Sequence, residues 1–184
     1  SGIGLEEVSS EVFTRDASLA LGQNAKDIVV RPEFDVTLAY NPDSVLVPVA
    51  RVEGIGFTLL TANSTAGGSI VGGQGGTVRL DGGPDPIGPK VLFVSLGGAA
   101  SELSGVSRAG QWMFLDQLVD ELRGRIPAEM SMLTPVGQRT LKRYIDEGGT
   151  IMFSVDRAAD IRQCGHPDRA DVVAGPGRGR RVAR

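Results

Sequence analysis

The chain carries one histidine and one cysteine in 184 residues. A lone thiol, Cys164, excludes an intrachain disulfide and a structural zinc site built from thiolates. A lone imidazole, His166, falls short of the several His ligands that hydrolytic metal sites draw on. No apolar run reaches the ~18 residues of a membrane span. The first residues lack a basic start followed by an apolar core, so no signal peptide is expected. The compartment stays open between cytoplasm and export after processing. With a formal net charge of -3, nothing global recruits nucleic acid or an acidic membrane, and neither is expected as a partner.

What is abundant is glycine, 26 residues, well above ordinary usage. Hydrophobic residues at 41% against 22% charged place the chain among globular sequences. The length suits one domain or one large piece of a larger one.

Residues 5 to 30 are mixed, and "LEEVSSEVFTRDA" reads as strand or loop. Asn41-Pro42-Asp43 signals a turn, with Ser44 as the expected N-cap of a short helix. Pro48 confines that helix to its first turns, and Gly54 ends it. "IGFTLLTA" then reads as a buried strand. The stretch "NSTAGGSIVGGQGGTVRLDGGPDPIGP" predicts a hairpin of short strands, "SIV" and "TVRL", between glycine turns. "KVLFVSL" (90 to 96) is a continuous apolar run, as in a strand buried on both faces.

Leu115, Leu118, Val119 and Leu122 mark a helix over 107 to 123 that Gly124 stops. Thr134-Pro135 opens another, with Leu141, Tyr144 and Ile145 as its apolar stripe and Gly148-Gly149 as its end. "TIMFSV" is the next strand, and a helix starts at Asp156. Alternation of strands and helices predicts an α/β layer with parallel strands. Residues 164 to 184 lack period 2 and period 3.6 and are expected to form a disordered tail. The tail's basic end has no aromatic to stack on bases.

Four stretches in order, "GIGLEEVSSEVFTRDA", "NPDSVLVPVARVEGIGFTLLTA", "GGSIVGGQGGTVRLDG" and "FSVDRAADIRQ", together resemble the imidazolonepropionase-like group of the amidohydrolase superfamily. The resemblance spans about residues 2 to 163 and implies a TIM-type barrel. It also implies hydrolysis of C–N bonds in amides, cyclic amides and dipeptides with one or two divalent metals such as zinc. In that family a His-x-His pair ends the first strand. Here Gly2 stands at the second His position and the first would precede residue 1. A later strand ends in a His within a segment like Val-His-Ala-Asp-Arg-Ala-Asp-Asp-Ile. Here "FSVDRAADI" puts Ser154 at that position. A neutral hydroxyl is a poor divalent-metal ligand beside an imidazole nitrogen.

The family's remaining ligands would lie beyond Gln163, and nothing in the tail matches them. The tail's Arg, Gly, Pro and Ala content is what a shifted reading frame of GC-rich DNA would encode.

The expected fold is therefore α/β, a partial TIM-type (β/α) barrel with a Gly-rich β-hairpin insertion. Residues 1–163 form the incomplete barrel domain and 164–184 the tail outside the family. The expected function is that of an amidohydrolase-related fragment or pseudoenzyme, with no catalytic residues and no bound cofactor in this chain. The alternatives are a non-catalytic module for a small amide or peptide, and a metal-dependent hydrolase completed by missing sequence. A homo-oligomer, or the missing barrel portion, is the expected partner, because an open sheet edge invites pairing.

Ser154, Asp156, Asn63 and Gln74 are the expected pocket-lining residues. His166 and Cys164 are read as a solvated loop residue and a free thiol. "GGSIVGGQGG" lacks the Lys-Ser or Lys-Thr leading into a helix that a phosphate-binding loop needs. Asp156 and Asp160, four apart at a helix start, suit the positive end of the helix dipole better than acid–base work. Trp112 and Phe114 are read as core.

Overall fold

The computed structural model describes residues 2–5, 18–19, 30–64, 69–98, 107–158, 162 and 164, and the side chains of all of these except 18, 19, 63 and 64. The expectations for "LEEVSSEVFTRDA" after Leu5, for Asp160, for His166 and for the tail beyond Cys164 lie outside the described residues.

The elements run β1 (Ser18–Leu19), a 3-10 turn (Val36–Ala39), α1 (Leu46–Val52), β2 (Phe57–Leu60), β3 (Asn63–Ser64), β4 (Val71–Arg79) and β5 (Pro86–Leu96). They continue with α2 (Arg108–Leu122), a second 3-10 turn (Ala128–Met130), α3 (Pro135–Asp146) and β6 (Thr150–Val155). Ala158, Arg162 and Cys164 have helical backbone, consistent with the helix expected after Asp156. The main sheet has the order β2-β4-β5-β6, and β1 pairs with β3 in parallel beside it. Among the described residues the fold is mixed α/β, a curled four-stranded half-barrel sheet with helices α1, α2 and α3.

The helices form where their punctuation puts them. Ser107 caps α2 by accepting from the Gly110 N–H at 3.1 Å. Gly124, at φ 69°, ends it. Thr134 caps α3 by accepting from the Gly137 N–H at 2.9 Å, with Pro135 at the first helical position. The Thr134 hydroxyl in turn donates to Glu33 Oε1 at 2.7 Å. A carboxylate there favours the positive end of α3. Gly148, at φ 73°, closes α3, and the Gly149 N–H returns to the Tyr144 carbonyl at 2.9 Å. At α1 the expected cap differs: Val45, not Ser44, is the N-cap, and it makes no side-chain cap bond. The turn before it is held by Asn41 Oδ1, which accepts from the Asp43 N–H at 2.9 Å.

Two expectations about the sheet are corrected. First, the strands are not parallel throughout: β2–β4 and β4–β5 are antiparallel, and within the main sheet only β5–β6 is parallel. The tight turn at 80 to 85 makes β4–β5 a hairpin, which needs no crossover helix. Second, "SIVGGQGGTVR" does not break into two short strands. It contributes one strand, Val71–Arg79, buried almost from end to end.

Its glycines make room for neighbouring backbone. A Cβ on Gly75 would sit 2.1 Å from the Leu60 carbonyl oxygen, and one on Gly73 would sit 2.5 Å from that of Phe34. Only Gly73 of this group has a left-handed φ, 113°. Register shifts between Val71 and Gly73 and between Gly75 and Thr77 bend the strand, as bulges do.

β5 is buried on both faces over 92 to 94, as its apolar run implies. Leu92, Val94 and Leu96 pack with Trp112, Leu115 and Leu118 of α2 and Leu141 and Tyr144 of α3. Phe93 packs on the other face with Leu5, Val36, Tyr40, Val47 and Leu60. Each fully buried Leu contributes about 2 kcal/mol by burial. Trp112 is core, and Phe114 packs partly buried against the same cluster.

Replacing Gly75 by Ala is expected to cost roughly 3 kcal/mol or more, since the added carbon meets backbone that has nowhere to go. Gly56 faces open space, and Gly56→Ala should stay within about 0.5 kcal/mol of the parent. Urea denaturation of both variants checks this, and equal midpoints would refute the close-approach account of β4.

Candidate functional site

The parallel pair β5–β6 fixes where each candidate residue falls. Its register is unbroken: Val91 opposes Thr150, Phe93 opposes Met152 and Ser95 opposes Ser154. Side chains alternate across a strand. Ser95 and Ser154 therefore share the sheet face of Phe93, near the C-terminal ends of both strands. Leu5, three residues after Gly2, packs in the cluster that includes Phe93. The short segment carrying Gly2 and the strand carrying Ser154 thus address the same face of the sheet. Gly2 is half-buried and Ser154 exposed.

Asp156 follows β6 and closes this end of the sheet. Its Oδ2 accepts from the Gly98 N–H at 2.7 Å. A Cβ on Gly97, at φ 145°, would lie 2.2 Å from that oxygen. Beside it, Gln111 Nε2 donates to the Gly97 carbonyl at 2.9 Å and ties α2 to the end of β5. This bond runs to the backbone after β5, a contact other than the helix-dipole role expected for Asp156. Asn63 lies in β3, paired with Ser18. Cys164 is in no disulfide, in keeping with the thiol reading, and lies half-buried against the helix-side core. Arg157 and Arg162 are exposed. Among the described residues, no three His, Cys, Asp or Glu side chains converge on one point.

Gln74 stands apart from Ser154 and Asp156. It opposes Leu92 across the β4–β5 ladder. Leu92 faces the helices, and so does the Gln74 side chain, whose Oε1 accepts from the Tyr144 hydroxyl of α3 at 3.1 Å. Along β5 the Gln74 level lies three residues before the Ser154 level, about 10 Å. The two residues are on opposite faces of one sheet.

Gln74 lines a cleft of about 370 Å³ together with Pro89, Lys90, Arg143, Tyr144, Glu147, Gly148 and Gly149. It lies where β5 enters the core and α3 ends. Asp35, outside the lining, holds Lys90 in one wall. Its Oδ1 accepts from the Thr37 N–H at 3.0 Å and hydroxyl at 2.7 Å, capping the first 3-10 turn. Its Oδ2 accepts from Lys90 Nζ. The Gln74 N–H donates to the Phe34 carbonyl at 2.6 Å, which holds Asp35 and Gln74 side by side.

Burial pushes the Tyr144 hydroxyl up to about 12; the Asp35 charge adds to this and Arg143 opposes it. Across the sheet, burial and then Asp81 raise the Tyr40 hydroxyl, which donates to the Arg79 carbonyl at 3.0 Å.

Asp35, Lys90, Arg143 and Glu147 were not among the residues expected from sequence. Asp35 carried a detectable signal, an Asp two residues before Thr37 at the start of a turn. Tyr144 was read only as apolar stripe. Comparison with known proteins gives no match: no family model, no curated protein and no solved structure aligns with this chain.

The raised Tyr144 hydroxyl has a consequence for stability at high pH. The unfolded chain loses this proton near 10 and the folded chain only near about 12. Between those values the folded state binds the extra proton, so stability falls as pH rises; below that window the term is flat. Tyr144→Phe should show a shallower decline of the urea midpoint than the parent over this range. Parallel curves would mean that the hydroxyl is not protected.

Proposed function

We propose that the chain is an amidohydrolase-related protein, a partial TIM-type (β/α) barrel that no longer hydrolyses C–N bonds. One observation carries this. Ser154, at the position where the resembled family has a metal-ligating His, sits near the C-terminal end of β6 and opposes Ser95 on parallel β5. Hydroxyls occupy the rim where an imidazole would be needed. Asp156, the nearest carboxylate in sequence, is engaged with the Gly98 N–H.

The shared sheet face of the Leu5 cluster and Ser154 is consistent with the order of the family's strands. So is the cover of α2 and α3 on the other face. Divalent-metal hydrolysis needs ligands that fix the ion and lower the pKa of its bound water. Gly2 and Ser154 supply no such nitrogen donors, so the residues present do not fit the family's zinc. A small amide or peptide could be held at this rim without being cut.

Supplemented with zinc, the chain should leave dipeptides and cyclic amides intact. Chelator-sensitive turnover by this polypeptide would overturn the proposal.

The edges of the sheet favour a partner. Among the described residues, β2 and β6 of the main sheet each pair on one side only. On β6, Met152 is 42% exposed on the face away from the helices, and Phe57 of β2 is 67% exposed. Unpaired edges with apolar side chains invite strand addition. Such a partner, a second copy or a further portion of barrel, could also complete a metal-dependent hydrolase. Alone, the chain should sediment as an oligomer at micromolar concentration, and Met152→Lys should shift it toward monomer. A single monomeric species with a cooperative melt would remove this reading.

A further inference from the structure

The cleft beneath Gln74 lies on the opposite sheet face from Ser154, so its chemistry is separate from the proposed loss of catalysis. Its volume, about 370 Å³, falls in the range of small-molecule sites. Its charged groups are Lys90, Arg143 and Glu147, and Gln74 adds a fixed set of donors. Because Tyr144 keeps its proton, its O–H occupies Gln74 Oε1. That leaves the Gln74 amide N–H groups as donors toward the cleft, and no described residue takes them up.

Lys90 is committed to Asp35. Arg143 and Glu147, by contrast, have no ion-pair partner among the described residues. They stand four apart at the end of α3, in the order that pairs less well along a helix. At the same end, the last carbonyls of α3 favour a cation. Gly148 has nothing within 4 Å of where a Cβ would be, and Gly149 lies against the Tyr144 ring. The floor beside Glu147 is therefore bare backbone.

We propose that this cleft binds the zwitterion of a free α-amino acid. The carboxylate lies between the Arg143 guanidinium and the Gln74 amide. The ammonium lies between Glu147 and the carbonyl end of α3. The side chain is directed along Pro89. A ligand bearing only one of the two charges satisfies one end and leaves the other without a partner. No covalent step is involved.

Thermal unfolding of the full chain with glycine, L-alanine or L-proline tests this, with acetate and methylammonium at matched ionic strength as single-charge probes. The amino acids should raise the melting temperature in a saturable way, and the single-charge probes should not. Arg143→Gln and Glu147→Gln, both at exposed positions, should fold normally. Each should weaken amino-acid binding about tenfold, the scale of one charge-assisted hydrogen bond. Arg139→Gln, an equal charge change one turn away, should bind as the parent does. Equal stabilisation by acetate, or none by any amino acid, would overturn the assignment. So would unchanged binding in both cleft variants. A hydrolytic activity found at the Ser154 end would leave it standing.

Discussion

The fold depends on one steric constraint, the approach of neighbouring backbone to the middle of β4. The carbonyls of Leu60 on one side and Phe34 on the other come so near Gly75 and Gly73 that no side chain fits at either position. The Gln74 N–H between them donates to the Phe34 carbonyl. β4 is thus held along its length by β2, by β5 and by the segment leading into the first 3-10 turn. Its two register shifts bend it where these contacts are tightest. A bent central strand turns a four-stranded sheet into an open curl with one helix-covered face and one face toward the Leu5 and Phe93 cluster.

Buried carboxylates then place the helices on that curl. Glu121 of α2 is 5% exposed and surrounded by donors. It accepts from the Ser131 hydroxyl, from the Met132 and Leu133 N–H groups at 2.9 and 3.2 Å, and from Gln138 Nε2 at 3.1 Å. A buried charge is tolerated only with such satisfaction. Here the bonds fold the connection between α2 and α3 back onto both helices. That geometry sets α3 over β4 and β5 with Tyr144 at Gln74. Asp35 does the corresponding work from outside the cleft, joining a 3-10 turn to Lys90 of the other wall. The cleft is what remains between these two fixed walls.

How much of this was legible depended on the range of the interaction. Caps and stops act within four residues. Gly124, Thr134-Pro135 and Gly148 accordingly marked the end of α2 and both ends of α3 closely, and "TIMFSV" matched β6 at both ends. The apolar run at 90 to 96 foretold burial on both faces of β5. The glycines of β4 misled for a physical reason. Glycine serves both tight turns and close backbone approach, and only the fold reveals which carbonyl comes near. Strand direction was misjudged likewise, since the six-residue turn between β4 and β5 was counted as part of a glycine-rich insertion. The polar nodes were least visible. Tyr144 and Gln74 are 70 residues apart, and Lys90 and Asp35 are 55 apart, so no local pattern pairs them.

The positions of Ser154 and Gln74 show why a list of polar residues near glycine does not make a site. Both were expected at one pocket. In a strand, neighbours in sequence point to opposite faces, so membership of a site depends on register as much as on proximity. Ser154 opposes Ser95 and Gln74 opposes Leu92. Counting along β5, these partners differ by an odd number of residues, and the two side chains must leave the sheet on opposite sides. A hydroxyl at Ser154 on one face therefore puts no chemical constraint on the charges that line the other. The two faces share a backbone, not a site.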